Sequence, residues 1–85
     1  MLEDKNSYSI QELFDALPMP IAELARESKI NEVTLARIRD GKATRLSTRN
    51  KLLNAFSRVY GRVFTPRNVT GIHVQGQEQR EEAVA

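Results

Sequence analysis

Apolar residues recur along the chain in short bursts at helical spacing, broken by proline, glycine and asparagine. Ser9-Ile10-Gln11-Glu12 has the form of a capping box, and Ile10, Leu13, Phe14 and Leu17 follow at i, i+3, i+4 and i+7, which predicts an amphipathic helix of about nine residues. Pro18-Met19-Pro20 stops it, and Pro20 suits the first turn of a second helix, where its missing N–H has no intrahelical acceptor to lose. Ile21, Leu24, Ala25 and Ser28 form the inward stripe of that helix. A third helix starts near Asn31, a good N-cap residue, buries Leu35 and Ile38, and ends before Gly41, which takes the left-handed conformation at C′ at no steric cost.

Ser47 is the expected N-cap of the fourth and longest helix, with Leu52, Leu53, Phe56, Val59 and Tyr60 facing inward and Gly61 ending it. Thr65-Pro66-Arg67-Asn68-Val69 then reads as an N-cap, a Pro at N1 and one short helical turn, with Val63, Phe64, Val69 and Ile72 available to close the core. Only 61–63 and 70–75 invite an extended backbone, and a short strand there would serve dimer contacts. Every apolar stripe named so far is accounted for by core packing. The fold class expected is all-α, a compact bundle of about five short helices. Residues 1–8 form an N-terminal arm, 9–72 the domain, and 73–85 a polar tail with too little apolar content to fold alone.

Composition narrows the chemistry. At 85 residues and 40% hydrophobic content the chain forms one small domain. Cysteine is absent, which excludes disulfides, zinc-thiolate sites and thiol nucleophiles. No run of about 18 apolar residues is present, and MLEDKNSYSI lacks the blocks of a signal peptide, so a cytoplasmic protein without membrane association is expected. His73 is the sole histidine and no Gly-rich phosphate loop occurs. Glu12 and Asp15 read as a solvated helix face before they read as an acid pair. The expectation is therefore no enzyme, no catalytic residue, no metal and no cofactor.

Charge changes the picture more. The net charge is only +2, but residues 1–25 carry −4, residues 26–67 carry +8 and the remainder −2. Such polarisation suits a polyanion, because neutralised phosphates release counterions; an ordinary solvated basic face remains the plain alternative.

The functional pattern lies between the second and third stripes. Leu24 and Ala25 are followed by Ile30, Leu35 and Ile38, with a short turn at Lys29-Ile30; a small residue at Ala25 lets one helix cross close over the other. The outer face of the third helix is then Asn31, Glu32, Val33, Ala36 and Arg37. Residues 21–56, through Leu24-Ala25, Ile30, Thr34-Leu35, Arg37-Ile38 and Asp40-Gly41-Lys42, resemble the lambda-repressor and Cro-like (XRE) helix-turn-helix family, and the resemblance extends more loosely over 9–72.

The resemblance implies a five-helix, lambda-repressor-like domain with a central helix-turn-helix. It also implies a small transcriptional regulator of repressor type whose third helix reads the major groove of double-stranded DNA, often as one half of a homodimer, with the protein nucleoid-associated when bound. By position, Asn31, Glu32, Val33 and Arg37 would face base edges: Arg37 bidentate to guanine, Glu32 accepting from cytosine and Val33 against a thymine methyl. Lys42, Thr44, Arg45 and Arg49 would grip the phosphate backbone. Three residues depart from the pattern. Lys29 stands where glycine is frequent, Ile21 where a phosphate-binding Gln is frequent, and Arg39 where a Glu is frequent. A protein-interaction module on the same fold, such as an antitoxin or adaptor, is the competing reading.

Overall fold

The computed structural model describes Leu2 and residues 4–75. In chain order they form β1 (Tyr8–Ser9), α1 (Ile10–Asp15), α2 (Ile21–Ser28), α3 (Glu32–Arg39), α4 (Leu46–Tyr60) and β2 (Val69–Thr70). The expected capping box starts α1: Ser9 Oγ accepts from the Glu12 amide at 3.1 Å, and Glu12 Oε1 accepts from the Ser9 amide at 3.1 Å. The helix runs for six residues instead of about nine. Its last turn tightens, with the Leu17 amide donating to the Phe14 carbonyl, because Pro18 disfavours α conformation in the residue before it.

α2 ends in a left-handed residue. Lys29 sits at φ 59°, ψ 35°, and its amide and that of Ile30 both donate to the Ala25 carbonyl. A lysine therefore occupies the conformation that glycine would take without strain. Leu24 and Ser28 of α2 are buried, Ile21 and Ala25 half-buried. Across the turn Ile30, Leu35 and Ile38 are buried, and Asn31 caps α3 by accepting from the Val33 amide at 2.7 Å.

α4 begins at Leu46, with Arg45 at the N-cap, two residues before the cap expected at Ser47. It supplies the centre of the core through Leu52, Leu53, Ala55 and Phe56. Aromatic rings run outward from there: Phe14 meets Phe56 edge-on at 5.4 Å, Phe56 stacks on Tyr60 at 5.9 Å, and Phe64 bridges Tyr60 and Tyr8 at 5.8 and 5.5 Å. The hydroxyl of half-buried Tyr60 donates to the Leu13 carbonyl at 2.6 Å, so its polar end is satisfied.

Four helices, not five, are present among the described residues. Thr65–Val69 does form the expected helical turn, with the Arg67 amide donating to Thr65 Oγ1 and the Val69 amide to the Thr65 carbonyl. It goes no further because the next backbone groups are taken by a partner strand. β1 and β2 pair in parallel, Tyr8 with Val69 and Ser9 with Thr70. The fold is helix-rich but not all-α, and this extended segment pairs within the chain, where a dimer contact was expected. Tyr8, expected in an N-terminal arm, is buried to 3% exposure. Its hydroxyl accepts from the Lys5 amide and from Arg62 Nη1, and Arg62 also reaches Asp4 at 3.2 Å.

Residues 73–75, expected in the tail, are paired too. Val74 forms a parallel bridge with Thr44 in the loop between α3 and α4. The rest of the expected tail, 76–85, lies outside the described residues.

Candidate nucleic-acid interface

With Leu35 and Ile38 committed to the core, α3 leaves Asn31, Glu32, Val33 and Arg37 exposed, and Ala36 is half-buried. Val33 is 64% exposed, an apolar side chain standing in water at the N-terminal end of the helix. The C-terminal end closes on Gly41, at φ 91°: the Lys42 amide donates back to the Arg37 carbonyl at 2.8 Å and the Gly41 amide to the Ile38 carbonyl at 3.0 Å. This turn folds the chain back so that Lys42 and Arg45 come beside Arg37.

Between α3, the loop and the start of α4 lies an open hollow of about 670 Å³, lined by Thr34, Arg37, Ile38, Lys42, Ala43, Thr44, Arg45, Thr48 and Gln75. Arg37, Lys42 and Arg45 make no ion pair and no side-chain hydrogen bond among the described residues, although acidic groups elsewhere are paired with Lys5, Arg26, Arg39, Arg58 and Arg62. The start of α4 adds to the same field. Its N-cap, Arg45, provides no side-chain acceptor, and its first turn contains no acidic residue, so the partial positive charge of the helix terminus is left uncompensated at the hollow.

Three of the four expected phosphate contacts, Lys42, Thr44 and Arg45, therefore share one hollow with Arg37. Thr44 is only 6% exposed. Its backbone is held on both sides, the amide donating to the His73 carbonyl at 2.8 Å and the carbonyl accepting from the Gln75 amide at 2.7 Å. Arg49 does not line the hollow; it is half-buried and donates to Asn50 Oδ1 at 3.1 Å. Asn31, Glu32 and Val33 lie outside the hollow, toward the other end of α3.

Of the three departures from the family pattern, Lys29 is left-handed, as above, and Ile21 packs half-buried against the core at the start of α2. Arg39 points away on an exposed pair with Asp40 at 3.4 Å, and its carbonyl accepts from Gln11 Nε2 at 3.1 Å. The hollow also contains Thr34, Thr48 and Gln75, which were not expected as site residues. Thr48 follows from the helix 4 start two residues earlier than expected. Gln75 carries no local signal, because a contact across 31 positions brings it there.

A second, smaller hollow of about 190 Å³ lies against Glu27, Ser28, Lys29, Lys51, Asn54 and Arg58. Its arginine is already engaged, donating to the Glu27 carbonyl at 2.7 Å and lying 3.8 Å from the Glu27 carboxylate. Among the described residues no cluster of three or more His, Cys, Asp or Glu side chains is placed to hold a metal ion. No helix among them is long and apolar enough to cross a membrane. No protein-family model matches the chain, and comparison with curated proteins and with solved structures finds no match.

Proposed function

We propose that the chain is a sequence-specific double-stranded DNA-binding protein of the lambda-repressor/Cro-like helix-turn-helix kind, acting as a small transcriptional regulator of repressor type. In this reading α3 enters the major groove. The observation that carries it is the hollow at the end of α3, where Arg37, Lys42 and Arg45 converge without protein partners beside an uncapped helix N-terminus. Unpaired cations close together repel one another, and a polyanion laid across them turns that cost into attraction while releasing its own counterions.

The division of labour follows from position. A helix of about 10–12 Å diameter fits a major groove about 12 Å wide. Asn31, Glu32, Val33 and Arg37 then face base edges, while Lys42 and Arg45 reach the phosphates flanking the groove. Thr44 acts through its place in the loop, since its backbone is occupied and its side chain nearly covered. Arg49 contributes charge from half-buried ground beside Asn50. A homodimer on two half-sites is part of the proposal, because a helix of eight residues reads only a few base pairs.

Selection of bound duplexes from a random library, followed by gel shifts at two salt concentrations, tests this. Arg37→Ala should cost about 1–3 kcal/mol on the selected site and relax preference at one or two base pairs. Arg45→Ala should weaken selected and random duplexes alike and reduce the magnitude of the salt slope by about one unit. Uniform weakening from Arg37→Ala with altered preference from Arg45→Ala would reverse the docking orientation. No effect of either change would replace DNA by a protein partner, for which exposed Val33 would be the apolar contact.

A further inference from the structure

The loop that carries Lys42 and Arg45 is fixed at one residue. The Thr44 peptide groups are bonded on both sides to the chain at 73–75, the amide to the His73 carbonyl and the carbonyl to the Gln75 amide. Apart from the Lys42 amide bond to Arg37, these are the only backbone bonds that residues 42–44 make among the described residues, so the path of the loop is set by a segment more than 25 positions away. That segment is itself anchored upstream. Val69–Thr70 lies in the parallel pair, Ile72 packs on the core, and Gly71, at φ 92°, passes so close to α1 that a Cβ there would sit 3.1 Å from Ile10 Cγ2.

We propose that residues 73–75 are a strap that aims the phosphate-gripping loop, with Gln75 as a positioning residue acting through its main-chain N–H. The inference rests on the DNA-binding reading above and adds to it the part that makes the grip rigid. Two long cationic side chains on an unsupported loop would lose both loop and side-chain freedom on meeting a phosphate. With the Thr44 peptide already held, only the side chains have to be ordered. The strap holds Thr44 immediately before α4 begins, so it also fixes the helix terminus that points its free N–H groups at the hollow.

Gln75→Pro removes the N–H that Thr44 accepts, and it favours extended backbone at Val74, the conformation a bridge residue already has. Gln75→Ala removes the same side chain and keeps the N–H, so it is the reference. Binding of a selected and a random duplex by the full chain, measured by fluorescence anisotropy across a salt series, should be weaker for Gln75→Pro than for Gln75→Ala by roughly three- to tenfold, the factor that one net hydrogen bond is worth. The salt slope should fall by about one unit with base preference retained. Amide hydrogen exchange should accelerate at Thr44, whose amide donates to the His73 carbonyl, and stay unchanged in the centres of α3 and α4.

Equal affinity and slope in the two variants would overturn the strap. If even the unaltered chain binds no duplex at low salt, the DNA reading fails by itself, and exchange of the Thr44 amide then decides the strap: equal rates in the two variants refute it, faster exchange there in Gln75→Pro with the helix centres unchanged supports it. Should Gln75→Pro not fold, an ester replacing the Val74–Gln75 amide deletes the same hydrogen without a ring and is judged by the same comparison.

Discussion

Replacing Lys29 by glycine should stabilise the protein. Lys29 is the one non-glycine residue with positive φ among those described, at φ 59° and ψ 35°. An L-residue with a Cβ pays about 1–2 kcal/mol in this region relative to right-handed backbone, and glycine escapes that steric cost. Against this, glycine loosens the unfolded chain by about 0.4–1 kcal/mol. Little else changes: the two hydrogen bonds that close α2 are made by the amides of residues 29 and 30 to the Ala25 carbonyl, and the exposed lysine makes no ion pair among the described residues. The difference leaves a gain of about 0.5–1 kcal/mol, and for a domain of this size a melting temperature higher by about 2–8 °C. Urea and thermal unfolding of Lys29→Gly beside the original protein measure it. Lys29 shares no hollow with Arg37, so duplex binding should change by less than twofold, apart from the loss of one distant charge. A lower melting temperature would show that the left-handed turn is not a site of strain, and the assignment of α2 and its turn would have to be redrawn.

Three further outcomes are expected. Ala25→Leu places a branched side chain where α2 packs half-buried against the core, and overpacking should cost about 1–3 kcal/mol in chemical denaturation; a wild-type midpoint would mean α2 and α3 do not cross closely at this residue. The Lys5 ammonium at 2.5 Å, followed by the Ser9 amide, holds the Glu12 carboxyl below its ordinary value. Stability from that depressed group is present above the unfolded carboxyl pKa and lost as pH falls through the folded one, so the urea midpoints of wild type and Glu12→Gln should differ at pH 7 and draw together as pH falls below the usual carboxyl range. Burial pushes the Tyr60 hydroxyl up to about 12, so its share of stability is whole below the usual phenol value of about 10 and fades as pH rises toward 12; an absorbance titration should contain a late step that Tyr60→Phe removes, and its persistence in that variant would contradict the assignment.

What the sequence discloses about this fold is what a few neighbouring residues decide. The Ser9–Glu12 capping box, the Asn31 cap and the left-handed Gly41 and Gly61 are all settled within one helical turn, and each is where the residue types place it. Lys29 stands where glycine is frequent in the family it resembles, and it takes the left-handed conformation a glycine would take there. The strand pair was not legible, since two residues a side carry no alternation and the partners are joined only in space. The start of α4 slipped for a related reason. Ser47 is the better capping residue, but the bonds from 73–75 to Thr44 fix the chain so that the helix begins at Leu46. At the site, Arg37, Lys42 and Arg45 could be grouped because Gly41 folds the chain locally, whereas Arg49 and Gln75 traded places through contacts that no local pattern records.

The parallel pair has a consequence for the order in which this chain acquires structure. Thr70 Oγ1 and the Tyr8 carbonyl meet across 62 positions, so the two ends are joined by closing nearly the whole domain into a ring. Ring closure of that span carries the largest entropic cost in the fold, and the α2–α3 and α4 segments lose far less by forming first. During synthesis the first strand must wait, unpaired, until residues beyond 70 leave the ribosome. Only then can 73–75 reach Thr44. A nascent chain would thus hold its helices before it holds its loop, and the proposed phosphate grip would be completed as the last event of folding.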